Sequence, residues 1–179
     1  MRLRTIATAA AAALTMGVGT AGTANAATLA AASCSGRQVG VSQNYTAYGM
    51  TAGNISQIYN GCGTVVAQWI WNYSFVQAHP NSFIRVTLAS AGYNGGAPVT
   101  PLSVERAAIA ASHGYKVESL LMDIDKASPA SWRAGAELDF SGCAAWSSQH
   151  YYGNGSETAG PYAGCNDWQN VNQIPWTRP

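Results

Sequence analysis

Residues 64–77 read TVVAQWIWNYSFVQ, and the odd positions Val65, Ala67, Trp69, Trp71, Tyr73 and Phe75 are apolar or aromatic throughout. Successive side chains of a strand point to opposite faces. This period of two therefore builds one aromatic wall, with Gln68, Asn72 and Ser74 on the other face beside Val66, Ile70 and Val76. No Gly or Pro interrupts the run, and its residue types suit a pleated, half-buried surface, so it predicts the central strand of a β-rich domain. His79-Pro80-Asn81-Ser82 then signals a turn, and residues 83–91 resume alternation through Ile84, Val86 and Leu88. Together, residues 64–91 predict a long β-hairpin.

The flanking segments are weaker. Val39 and Val41 alternate with polar neighbours, and Gly49, Gly53 and Asn60-Gly61 supply turns before the central strand. Beyond a loop at 93–98, Thr100 can cap a helix, Pro101 suits its first position, Ala107 to Ala111 favour it and Gly114 stops it. One short helix is expected near 101–113, with strand pairing of 104–111 as the alternative. Residues 115–124 predict a strand, 127–131 a turn centred on Pro129, and 132–140 a further strand carrying Trp132, Ala134, Ala136, Leu138 and Phe140 on one face. The fold expected is mainly β, an antiparallel two-layer sandwich or a β-rich α+β arrangement. The order strand, helix, strand over 83–124 also permits a right-handed parallel crossover. That would set Asp123 and Asp125 at the carboxyl end of a strand, where parallel α/β sheets carry their sites.

Composition places this domain outside the cell. Arg2 and Arg4, an Ala-rich apolar run and Ala24-Asn25-Ala26 have the three-part form of a secretory leader. The predicted organisation is a leader at 1–26, a short lead at 27–33 and one secreted domain over 34–179. Nine Lys and Arg against eight Asp and Glu give a formal charge of +1, which becomes −1 when Arg2 and Arg4 leave with the leader. So balanced a chain lacks the cations that nucleic acid or an anionic membrane surface requires. No later run approaches eighteen uncharged apolar residues, so no membrane insertion is expected. Cys34, Cys62, Cys143 and Cys165 read as two disulfides in an exported chain. Cys34–Cys62 and Cys143–Cys165 are the favoured pairs, each closing a moderate polar loop worth about 3 kcal/mol on the chain-entropy model. No C-x-x-C and no Cys/His pair at zinc spacing occurs, so neither a metal nor any other cofactor is expected.

The common catalytic signatures G-x-S-x-G, H-E-x-x-H and the phosphate-binding glycine loop are absent. Glycan hydrolysis needs paired carboxylates, and the candidates are Glu118, Asp123, Asp125, Glu137 and Asp139. Glu137 and Asp139 would share an outward strand face, within reach of the 115–124 strand across a hairpin at Pro129. A solvated sheet face explains the same residues. His79 reads as an exposed loop histidine, and His150 has no partner in the sequence. Residues 144–164 read instead as a long loop rich in Tyr, Ser, Gly and Asn, pinned by the second disulfide. Such a loop would present Trp146, Tyr151, Tyr152 and Tyr162, with Trp168 just beyond, as flat faces for a sugar ring or a protein surface. The leading expectation is a non-enzymatic extracellular module that binds a polysaccharide or a cell-surface ligand. A small glycan hydrolase, and an inhibitor or toxin acting through residues 143–165, are the alternatives.

Overall fold

The computed structural model describes residues 34–90 and 93–165; the leader expected over 1–26 and Trp168 lie outside them. Three strands open the domain: β1 (Arg37–Ala47), β2 (Met50–Tyr59) and β3 (Thr64–Trp71). A short helix α1 (Tyr73–Ala78) leads to β4 (Phe83–Ser90) and β5 (Tyr93–Arg106), and a second, α2 (Ala107–Ala110), runs into a 3-10 turn at Ala111–His113. Two short strands follow, β6 (Lys116–Glu118) and β7 (Met122–Asp123), then a 3-10 turn at Ile124–Lys126. The chain closes through β8 (Ser131–Leu138), β9 (Cys143–Trp146), β10 (Gln149–Tyr151), β11 (Ser156–Ala159) and β12 (Tyr162–Cys165).

These strands form two sheets. The first has the order β1-β2-β3-β6, with β7 also on β3; the second has β11-β10-β8-β4-β5, with β9 on β8 and β12 on β9. Every pairing among the described residues is antiparallel. The core lies where Ile55, Val65, Ala67, Trp69 and Trp71 of the first sheet join the cluster that holds Ile84, Val86, Leu88, Trp132, Ala134, Ala136 and Leu138 of the second. The domain is a mainly β, sandwich-like fold, as the alternation predicts, with two short helices among the described residues where the sequence predicts one. Both expected disulfides, Cys34–Cys62 and Cys143–Cys165, are present.

The central strand is shorter than its alternation. It ends at Trp71, and Asn72 caps α1 by accepting from the amides of Ser74 (2.9 Å) and Phe75 (3.3 Å). The helix buries the adjacent pair Phe75 and Val76 together, which a strand would split between its faces, and it leaves Tyr73 exposed. α1 also carries the chain from one sheet to the other, so 64–91 is a crossing between sheets rather than a hairpin.

The expected helix near 101–113 shrinks for a similar reason. Phe83, Ile84, Arg85 and Val86 of β4 pair with Arg106, Glu105, Val104 and Ser103, holding the chain extended until Ala107. Only then do the alanines turn, and Gly114 ends the turn at φ +81°. The strand expected over 115–124 is broken into β6 and β7. At the break Ser119 completes the ladder, its amide donating to the Ala67 carbonyl (2.9 Å) and its hydroxyl accepting from the Ala67 amide (3.0 Å). The parallel crossover does not occur, because β4 and β6 belong to different sheets. Residues 144–164, expected as a loop, instead hold most of four strands, β9 to β12.

Candidate functional site

Three turns meet at one end of the sandwich. The first joins β1 to β2 through Tyr48 (φ +51°) and Gly49 (φ +73°), between the paired residues Ala47 and Met50. Two positive φ values in a two-residue hairpin loop are the mark of a type I′ turn, whose favoured residues are Asn and Gly. The second, after β8, puts Asp139 (φ +51°) and Phe140 (φ +53°) in the same left-handed region, closed by the Ser141 amide on the Leu138 carbonyl (3.0 Å). The third is His79-Pro80-Asn81-Ser82, where the Ser82 amide reaches the His79 carbonyl (3.1 Å).

Asp139 ties the three together. Its Oδ2 accepts from the Tyr48 hydroxyl (3.0 Å) and the Ser82 hydroxyl (2.9 Å), while Oδ1 accepts from the Phe83 amide (2.7 Å). Those bonds explain how a carboxylate residue is held at a left-handed position, which costs a side-chain-bearing residue about 1–2 kcal/mol. The Tyr48 ring rests on His79, with centroids 4.8 Å apart, and His79 packs on Phe75 at 4.7 Å. His79 is thus half-buried beneath Tyr48 rather than an exposed loop histidine. Beside them opens a cavity of about 330 Å³ lined by Ala78, His79, Pro80, Asn81, Ser82 and Asp139.

Phe140 stands on the far side of Asp139. Its ring lies 6.0 Å from that of Phe83, the Arg85 guanidinium sits over it at 4.7 Å, and the Arg106 guanidinium sits over Phe83 at 4.8 Å. Tyr48 is 64% exposed and Phe140 55% exposed. This apex therefore offers two open aromatic rings around an anchored carboxylate, next to a polar cavity.

The hydrogen bond to the Asp139 carboxylate, and after it the charge of that carboxylate, raise the Tyr48 pKa above the ordinary 10.0. An acid whose folded pKa is raised contributes stability that is complete below its unfolded pKa and is lost as pH rises through the folded value. Alkaline titration of tyrosine absorbance should therefore show Tyr48 ionising later than a free tyrosine. Burial makes Tyr45 and Tyr152 ionise late as well, so replacing Asp139 by Asn should move only part of the late absorbance down towards the ordinary range; an unmoved titration would break the assignment.

The residues expected from the sequence fall elsewhere. Trp146 is fully buried, lying against Gly135 of β8, so it cannot present a face to a ligand. Tyr152 packs between Tyr59 (5.2 Å) and His150 (4.7 Å), and its hydroxyl pKa is raised chiefly by burial. Tyr151 and Tyr162 are half-buried, on β10 and β12. Trp168 lies outside the described residues.

The carboxylates separate in the same way. Glu118 is exposed on β6 with Lys116 (3.2 Å) and Gln68 (2.7 Å), Asp123 caps the 3-10 turn through the Asp125 amide (3.0 Å), and Asp125 is exposed. Glu137 is not on a solvated face. It is 1% exposed, paired with Arg85, and it accepts the Gly142 amide (2.8 Å). The strands of Asp123 and Glu137 lie in different sheets and do not pair. Among the five candidate carboxylates, Asp139 is the one that lines the described cavity beside exposed aromatics.

His150 does have a partner. Its Nδ1 lies 2.5 Å from Glu157 Oε1, and the other oxygen of Glu157 accepts from the Ser148 hydroxyl. A hydrolytic relay places the imidazole between the acid and the nucleophile, whereas here the carboxylate stands between the two, and Ser148 is buried. The arrangement serves as a fastening: Ser148 accepts the Val41 amide on its hydroxyl (2.7 Å) and donates its own amide to the Val41 carbonyl (2.8 Å), joining β1 to the second sheet. A second cavity of about 350 Å³, beside the Cys143–Cys165 disulfide between β1 and β12, is lined by none of the large exposed aromatics. The chain matches no protein-family model, no curated protein and no solved structure, so the apex stands on its own chemistry.

Proposed function

We propose that this protein is a secreted, non-enzymatic binding module that recognises an extracellular polysaccharide through the apex around Asp139. The observation that carries the reading is the pair of rings, Tyr48 and Phe140, held open to solvent at strained left-handed positions on either side of an anchored carboxylate. A β-turn optimised for stability alone would use Asn-Gly at both places. Strain of this sort collects where function needs a side chain in one orientation. Flat rings take the C–H face of a sugar, and Asp139, Ser82 and Asn81 offer the acceptors and donors that its hydroxyls need. The two disulfides and the leader-like first 26 residues support export of the module.

The test is depletion of the purified protein from solution by chitin, cellulose, peptidoglycan and acidic plant polysaccharide, with reducing ends assayed in each supernatant. Depletion without release is expected. Release of reducing ends would replace the reading with hydrolysis and direct attention to Asp139; depletion by none of the polymers would remove the reading. Phe140→Gly separates function from folding. It relieves the left-handed strain and should leave thermal stability unchanged or raised, while weakening the polymer interaction about fivefold through loss of one aromatic platform. Binding unchanged in this variant would exclude Phe140 from the contact.

A further inference from the structure

Phe83 and Phe140 carry the same device twice. Over Phe140 lies the Arg85 guanidinium at 4.7 Å, and Arg85 holds the carboxylate of Glu137. Over Phe83 lies the Arg106 guanidinium at 4.8 Å, on the strand partner of Phe83 in the β4–β5 register. The two rings are neighbours, 6.0 Å apart. The first guanidinium has its carboxylate from within the chain; among the described residues the second has no ion-pair partner, and Arg106 is exposed. A guanidinium resting on an aromatic face keeps its N–H groups for a planar, two-point acceptor, which a carboxylate matches and a neutral hydroxyl does not.

Resting on the proposed polysaccharide-binding reading of the apex, we propose that its ligand carries carboxylates: the site takes a uronic-acid type of sugar, with Arg106 gripping the carboxylate and Phe140 covering the ring. The sugar hydroxyls then fall towards the Asp139 cavity, whose carboxylate already bonds Tyr48, Ser82 and the Phe83 amide and is thereby fixed in position. The chemistry on the two sides of Phe83 is complementary to the two halves of such a unit. Arg106 donates to the acid group, and the polar cavity meets the hydroxyls. A neutral glycan would leave Arg106 unused. Arg85 does not compete for the ligand, since its guanidinium is already paired with Glu137.

The experiment compares binding of the full chain to sodium polygalacturonate, to the same polymer fully methyl-esterified, and to cellulose, by affinity electrophoresis at low and at physiological salt. Wild-type protein should be retarded by polygalacturonate, less so at the higher salt, and only weakly by the ester. Arg106→Gln should weaken the polygalacturonate interaction about tenfold, the worth of one charge-assisted contact, and flatten its salt dependence. Arg106→Lys, which keeps the charge without the fork, should recover part of the loss. Melting temperatures within a degree or so of wild type are expected for both variants, because Arg106 is exposed. Equal binding of polygalacturonate and its ester, or an unaffected Arg106→Gln, would overturn the acidic-sugar assignment. If cellulose binds while polygalacturonate does not, the acidic-sugar assignment fails and the polysaccharide reading stands. If no glycan binds the wild-type protein, both fail together.

Discussion

Gly53→Ala should lower the free energy of unfolding by about 3 kcal/mol, the upper end for an overpacked core. A methyl group built on Gly53 would meet Cζ2 of Trp69 at 2.3 Å and the carbonyl oxygen of Ile70 at 2.4 Å. Neither can give way. Trp69 is fully buried, edge-on to Trp71 at 5.5 Å and to Tyr45 at 6.5 Å, and the Ile70 carbonyl belongs to β3, which pairs with β2 on one side and β6 on the other. Relief therefore requires either that the indole leave the core centre or that β2 and β3 part. For a domain of this size the loss corresponds to a fall of about 10 °C in melting temperature. Gly160→Ala is the matched control: nothing lies within 4 Å of its added methyl and its φ is ordinary, so its melting curve should overlie that of wild type. A Gly53→Ala protein as stable as the control would mean that the Trp69 ring does not lie over Gly53.

Glu137→Ala is the second large effect, about 3 kcal/mol by urea unfolding, at the lower edge for breaking a buried ion pair. Two groups lose their acceptor at once, the Arg85 guanidinium and the Gly142 amide (2.8 Å). The Arg85 side chain is 20% exposed, which lets some of its charge reach water and keeps the loss from being larger. Desolvation already lowers the Arg85 pKa, the sign of a cation that relies on its partner. Glu137→Gln keeps an acceptor for Gly142 and should cost less. The pair Arg85→Met and Glu137→Leu, which removes both charges, should recover most of the loss. A double variant no more stable than Glu137→Ala alone would show that packing around residue 137, not charge, carries the effect.

How far the fold is legible in the sequence follows from the range of each interaction. The alternation Val65, Ala67, Trp69, Trp71 reports its strand because burial acts on every second side chain. It overruns at Tyr73 and Phe75 because aromatic residues at odd positions also suit a helix whose buried pair is Phe75 and Val76. The Asn72 cap was the local sign of that change, and it sits inside an unbroken apolar run. Residues 101–106 carry helix-start chemistry, yet β4 pairing outweighs it, since propensity contributes only tenths of a kcal/mol per residue. The disulfides were readable from the count and spacing of four cysteines.

The site was less legible. Its turns lack the Asn-Gly pair that marks a type I′ hairpin, so Tyr48-Gly49 and Asp139-Phe140 carry little local signal. Asp139 meets Tyr48 and Ser82 across 91 and 57 residues of chain, a distance no periodicity spans. The Tyr-rich stretch misled for a physical reason. Tyr, Ser and Gly suit binding loops, and they also suit short antiparallel strands packed on one another, which is what residues 143–165 form.

The double bond between Val41 and Ser148 bears on how this protein behaves in company. β1 is eleven residues long and lies at the outside of its sheet, the kind of free edge along which a second molecule can lay its own strand. Gly40, at φ +69°, allows Ser148 and Glu157 to approach the backbone there, and the register with β2 shifts between Val39 and Gln43. Midway along that edge, then, both groups of Val41 are already occupied and the strand is bent. An incoming chain would find two short stretches instead of one long template, so crowding does not by itself turn into strand-to-strand aggregation.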